Sequence, residues 1–331
     1  MSRKVRFHRQ SFPIKGGFRI ARGAKVSADV VVVEIEENGL IGRGECVPYN
    51  RYGETVEGVV ATLASVAGAL EGGLDRASLQ DRLPPGAARN AVDCALWDLD
   101  AKCQGRPAWQ IAGGRPPGPL VTAFTLSLDS PEAMAAGAAA EGQRPLFKLK
   151  LGAENDADGD LRRVRAVHAA VPEARLLVDP NEGWTVDTLA ALAPHLAGLG
   201  VHLIEQPIPA AMDERLRGLA LPVPLAADES FHDAGDIDRM RGLYQAVVVK
   251  LDKTGGLTEG LRTRDRAAAA GLAIMVSCMV STSLSMAPAH LLAQGAAYVD
   301  LDGPLLLTED RPCGLTYQGS LVFPPRPQLW G

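Results

Sequence analysis

Ala246-Val247-Val248-Val249-Lys250-Leu251-Asp252 runs through apolar residues and then stops on a charge. A β-branched run of this kind reads as a buried strand, and the charge marks where the strand leaves the core. The same punctuation recurs along the chain. Residues 146–151 carry Lys148-Leu149-Lys150, residues 175–181 end on Asp179-Pro180-Asn181, and residues 203–207 hold Glu205-Gln206-Pro207. Residues 224–230 end on Asp228-Glu229-Ser230, and residues 298–303 hold Asp300-Leu301-Asp302. With 121–127 and 273–278 the strand-like segments number eight. Helical patterns such as 160–170, 185–193 and 258–270 lie between them. A β/α alternation repeated every ~20 to 30 residues predicts an α/β fold with a (β/α)8-type barrel. Barrels of this kind keep their active sites where strand C-termini meet the following loops, and all six charged motifs fall there.

The first hundred or so residues follow another pattern. Residues 5–12 and 28–37 read as strands, Glu37-Asn38-Gly39 as a turn, and 55–70 and 87–102 as helices. Gly113-Gly114-Arg115-Pro116-Pro117-Gly118-Pro119 then marks a boundary. The expected division is an α+β capping domain at 1–115, a catalytic barrel at 116–315, and a terminal segment at 316–331 that returns toward the cap. That segment contains the strand-like Ser320-Leu321-Val322-Phe323.

Bulk properties narrow the function. Hydrophobic residues make up 47% of the 331, enough for a large core, and the net charge is only -5. Neither a nucleic-acid-binding tail nor a basic membrane-binding surface is expected. From Met1-Ser2-Arg3-Lys4 and the mixed segment after it no secretory leader is expected, nor is a membrane span, since no stretch is long and apolar enough. Cys46, Cys94, Cys103, Cys278 and Cys313 are scattered and fit neither a disulfide framework nor a zinc pattern. A cytoplasmic location is the expectation.

Asp179, Glu205 and Asp228 occupy successive predicted strands, where their charges raise one another's pKa values unless a cation joins them. All-oxygen ligation suits Mg2+, and the six scattered histidines argue against zinc. Lys148 and Lys150 alternate with Leu149 and so share one side of strand two. Lys250 ends an apolar strand, and burial beside a metal and other lysines is expected to lower its pKa toward that of a base. Strands two and six face each other across a barrel of eight. A substrate between them meets a lysine on each side, which suits removal of a carboxylate's α-proton from one face and its return to the other.

These motifs together resemble the enolase superfamily, in its muconate-lactonising-enzyme subgroup, and most closely the dipeptide epimerases that act on L-Ala-D/L-Glu. The likeness covers nearly the whole chain. It implies that Asp179, Glu205 and Asp228 bind one Mg2+, that Lys150 and Lys250 are the acid/base pair, and that Lys148 assists at the substrate carboxylate. It further implies that Asp300 and Asp302 grip an N-terminal ammonium, that Arg22 takes a glutamyl carboxylate, and that Thr125 and Cys278 line the pocket. The substrate would be a small dipeptide met in cell-wall peptide recycling, and related barrels often form homo-oligomers. Cycloisomerisation, an o-succinylbenzoate synthase-like dehydration, and a non-catalytic metal-stabilised binding barrel are the alternatives.

Overall fold

The computed structural model describes residues 3–153 and 156–331, so the start of the no-leader reading, Met1 and Ser2, lies outside the described residues. Strands β1 (Lys4–Ile20), β2 (Gly23–Glu37) and β3 (Leu40–Cys46) form an antiparallel sheet in that order. Helices α1 (Val56–Glu71), α2 (Arg76–Arg82), α3 (Ala87–Gln104) and the short α4 (Ala108–Ile111) follow. Alternation along β2 explains its unbroken valines. Val31, Val33 and Ile35 pack with α1–α3, whereas Val30 and Val32 join the large core shared with the barrel.

Strand β3 and helix α2 were not anticipated. Gly42 and Gly44 hide β3 from a propensity reading, yet α3 lies so close to them that a Cβ at either would collide with its backbone.

The chain then forms β4 (Leu120–Val121), β5 (Phe124–Leu126), α5 (Pro131–Ala140), β6 (Leu146–Lys150), α6 (Ala157–Ala170), β7 (Arg175–Asp179), α7 (Val186–Gly198), β8 (Val201–Glu205) and β9 (Leu225–Ala227). Next come α8 (Ile237–Met240), β10 (Ala246–Val249), α9 (Leu251–Thr254), α10 (Leu257–Ala269), β11 (Ala273–Val276), α11 (Ser283–Leu292) and β12 (Tyr298–Val299). Strands β5 to β12 make one eight-stranded sheet in sequence order. All its pairings are parallel. The sheet curls until Ala123 N donates to Val299 O across its two edges at 2.8 Å. Helices are not equal around it. A 3-10 turn, Ala210–Leu216, follows β8, and a four-residue one, Gly303–Leu306, is all that follows β12. The eighth expected β/α unit thus lacks its helix.

Strand β13 (Tyr317–Gln318) pairs with β14 (Leu321–Val322), and β14 pairs with β4, outside the barrel. The final residues reach α3, where Trp330 Nε1 donates to Cys94 O at 2.9 Å and Gly331 N to Asp98 Oδ1 at 2.8 Å.

Candidate active site

Side-chain parity builds the site. Leu146, Leu177, Leu203, Ala226, Ala246 and Val248 belong to a separate buried cluster inside the curled sheet. Two residues further along each strand, the same inward parity brings Lys148, then Lys150, Asp179, Glu205, Asp228 and Lys250. Tyr298 of the same cluster leads in this way to Asp300 and Asp302. The barrel filling therefore turns from apolar to charged at its C-terminal rim.

Lysines lie among the acids. Lys148 Nζ is 2.7 Å from Glu205 Oε2, 2.9 Å from Asp300 Oδ2 and 3.4 Å from Asp179 Oδ2. Lys150 Nζ sits 2.5 Å from Asp179 Oδ2, and Lys250 Nζ 2.5 Å from Asp228 Oδ2. Lys253 Nζ donates to both Asp228 Oδ1 and Asp228 O at 2.6 Å. At the other end Asp302 Oδ2 accepts from Thr125 N at 2.6 Å, while Asp300 accepts from Ser277 Oγ at 2.8 Å and Thr125 Oγ1 at 3.3 Å.

A cavity of about 400 Å³ opens above these groups. Thr125, Lys148, Lys150, Asp228, Lys250, Cys278, Asp300 and Asp302 line it from the barrel, and Phe18, Arg22, Lys25, Tyr49 and Arg51 from the N-terminal sheet and its loop. Its charge is mixed: Asp300 and Asp302 lie at the β12 end, Asp228 and Glu229 beyond β9, and the N-terminal part adds Arg22, Lys25 and Arg51 together with Asp29. Arg22 is engaged already. It donates to Asn181 O at 2.7 Å and to Glu229 Oε1 at 2.6 Å. The substrate carboxylate expected at Arg22 would therefore share or exchange these partners.

The charges that the chain itself supplies bear on two expectations. Mutual repulsion was expected to raise all three acids, but only Glu205 rises, to about 8, through burial and then the charge of Asp179. Burial pulls Asp179 and Asp228 upward too, yet their lysines outweigh it and both end below the usual range. Lys250 was expected to fall beside a bound metal; the chain's own charges act the other way. Burial does push it down, but Asp228 and Glu205 hold it well above its ordinary value.

Among the described residues no three His, Cys, Asp or Glu side chains stand as a ready-made metal cluster. The donor chemistry nevertheless fits a hard cation. Both oxygens of the buried Glu205 accept no well-directed hydrogen bond, although Lys148 is near. Asp179, Glu205 and Asp228 feel one another's charge. A divalent ion would satisfy those oxygens and relieve Glu205.

Three supporting residues escaped the sequence reading. Lys253 directly follows the motif Lys250-Leu251-Asp252, and that adjacency was the one signal available, since nothing in the sequence says which atoms it meets. Gln206 accepts from Asp228 N and Ser230 N at 3.0 Å, joining the loops that carry Glu205 and Asp228. Glu182 Oε1 and Oε2 accept from Arg51 at 2.9 Å, a contact with no signature in sequence.

Comparison with known proteins agrees with this architecture. Residues 2–113 match the N-terminal domain model of the mandelate racemase / muconate lactonizing enzyme family, and residues 132–306 match the enolase C-terminal domain-like model. The chain is 43% identical to the L-Ala-D/L-Glu epimerase of Escherichia coli, over 93% of this chain and 95% of that one. It is 41% identical to an N-acetyl-D-glutamate racemase of Pseudoalteromonas, over 91% and 95%. A solved enolase family member from Agrobacterium tumefaciens with homology to dipeptide epimerases, holding sodium and L-Ala-L-Glu, superimposes with a TM-score of 0.96. Its identity is 50%, with 99% of this chain and 100% of that one covered. A dipeptide epimerase from Enterococcus faecalis complexed with Mg and L-Leu-L-Tyr gives a TM-score of 0.91 at 29% identity, covering 98% and 97%. With both of its domain models matched in order and relatives aligned over nearly their full length, this chain belongs to the mandelate racemase / muconate lactonizing enzyme family of the enolase superfamily.

Proposed function

We propose that this chain is a Mg2+-dependent epimerase of L-Ala-D/L-Glu dipeptides, working in the cytoplasm on peptides released from cell wall. One observation carries the reading: Lys150 on β6 and Lys250 beyond β10 line one cavity from strands separated by β7, β8 and β9. Such placement serves opposite faces of one carbon. Asp179, Glu205 and Asp228 would hold the metal. Bound there, Mg2+ supplies positive charge that favours the second negative charge developing on the substrate carboxylate. The remaining work falls to the chain. One lysine, as the neutral amine, takes the α-proton, and the other, as the ammonium, delivers a proton from the far side. Lys148 steadies the carboxylate. Asp300 and Asp302 receive the substrate ammonium, while Arg22 receives the glutamyl side chain, with Thr125 and Cys278 bounding the space between. Residues 1–115 would then select the substrate, 116–315 carry the chemistry, and 316–331 tie the two.

The test is NMR of L-Ala-L-Glu and L-Ala-D-Glu in D2O. Deuterium should enter the glutamyl α-position as the epimers interconvert, and Lys150→Ala or Lys250→Ala should abolish interconversion. Full activity in either variant would refute the two-base assignment. N-acetylglutamate belongs in the same panel, because it lacks the ammonium that the two aspartates would bind. Preference for it would replace the dipeptide reading.

A further inference from the structure

Lys250 heads the segment Lys250-Leu251-Asp252-Lys253-Thr254-Gly255-Gly256, in which Asp252, Lys253, Gly255 and Gly256 each meet another part of the molecule. Lys250 stands at the N-cap of α9 and its carbonyl accepts from Lys253 N at 2.9 Å and Thr254 N at 3.0 Å, so the turn fixes its backbone. The turn is held from two sides: Lys253 Nζ ties it to Asp228 of the barrel, and the remaining contacts come from the N-terminal part. Asp252 is buried, and its Oδ1 accepts from Val47 N at 3.0 Å and from Asn90 Nδ2 at 2.8 Å. Arg89 Nη2 donates to Thr254 O at 2.7 Å and Thr258 N donates to Asp93 Oδ2 at 2.9 Å. Gly255 and Gly256 have φ of +79° and +114°, and a Cβ there would strike the Arg89 guanidinium and the Asp93 side chain. Consecutive turns of α3 thus press Arg89, Asn90 and Asp93 onto the turn that bears Lys250.

Lys150 is held differently. It pairs in register with Asp179 inside the β6–β7 ladder, and Leu151 N donates to Asp179 O at 3.0 Å. The barrel itself sets that lysine.

We propose that Asp252 and Asn90 are positioning residues through which the N-terminal helix α3 aims Lys250, leaving Lys150 unaffected. This rests on the two-base reading above, and it predicts an asymmetry. When Lys150 takes the α-hydrogen as a proton, the C–H bond breaks, an N–H bond forms, and the electron pair passes into the carboxylate as an enediolate. Exchange of the lysine proton with solvent and its return to the same face gives deuteration without inversion. Inversion needs Lys250 to deliver from the opposite face.

The experiment follows each pure epimer of Ala-Glu in D2O by NMR, with wild type, Asp252→Ala, Asp252→Asn and Asn90→Ala. Wild type should deuterate and interconvert both epimers. Asp252→Ala should keep exchange in the epimer whose α-hydrogen faces Lys150. Interconversion and exchange of the other epimer should fall on the order of a hundredfold, as expected for a reacting group displaced by about 1 Å. Asp252→Asn retains the acceptor oxygen and should stay within a few-fold of wild type. Circular dichroism and thermal melting verify folding, and if Asp252→Ala does not fold, Asn90→Ala carries the same outcomes. Equal loss for both epimers in a folded variant, or no loss, overturns the proposal. A wild type that deuterates neither epimer instead overturns the two-base reading.

Discussion

Asp300 and Asp302 share a short segment but not an environment. Against the upward pull of burial, Lys148 keeps Asp300 below the usual carboxylate range. Burial and the neighbouring Asp300 charge push Asp302 up to about 7. In the dipeptide reading, a substrate ammonium beside Asp302 would supply the missing cation. Asp302→Asn is expected to raise KM for L-Ala-L-Glu about 10- to 100-fold, the value of a hydrogen bond to a charged group, with kcat changed only a few-fold. Steady-state polarimetry reads both, and an unchanged KM would count against the ammonium site. At this scale the sequence was informative where a charge interrupts an apolar run with inward parity, which is how Lys150, Asp179 and Glu205 were legible. Gln206 and Lys253 were not, because their role lies in which backbone and carboxylate atoms they meet in space.

Among the elements, the β1–β2 hairpin departs furthest from its reading. The expected strands stop at residue 12 and resume at 28, yet pairing continues to Ile20 and Gly23. Pro13 and the positive-φ Gly16 and Gly17 break the apolar pattern, and the register does shift between Pro13 and Phe18. This extension is what brings Phe18, Arg22 and Lys25 over the cavity. Glu182 fastens it, taking Arg22 Nη1 at 3.3 Å and both donors of Arg51 at 2.9 Å, while Ala210 N donates to it at 3.0 Å. Removing it with Glu182→Ala should loosen the hairpin tip. Faster amide exchange across residues 16–25 and a roughly tenfold higher KM, with kcat largely kept, are the expected outcomes. Exchange mass spectrometry and kinetics check them, and an unaltered tip would remove Glu182 from this role.

For the whole molecule, strand order was legible because the apolar runs repeat and the prolines punctuate them. The missing eighth helix was not, since a four-residue turn leaves no periodicity to read. Stability against acid has a recognisable contributor in His290, buried on α11 with Nε2 3.3 Å from Val322 O of β14. Burial depresses its pKa from 6.5 to about 4. The folded state excludes the proton that the unfolded chain accepts, so stability is present above about 6.5 and is lost as pH falls toward 4. Between pH 7.5 and 5 the wild type should lose about 2 kcal/mol more than His290→Gln in urea unfolding. Equal losses would assign the acid sensitivity elsewhere.

The alternation that carries β6 to β10 from a leucine, alanine or valine filling to a charged rim ties the site to strand length; β8 absorbs one extra residue at the register shift opposite Leu176 and Leu177, before the rim, and Glu205 keeps its inward place. One inserted residue in β7 would swing Asp179 out among the helices and send an apolar neighbour inward. Diversification of such an enzyme is therefore easiest by exchange at the mouth and in the overhanging hairpin, because an addition or deletion next to the rim misplaces the charge that the stave delivers.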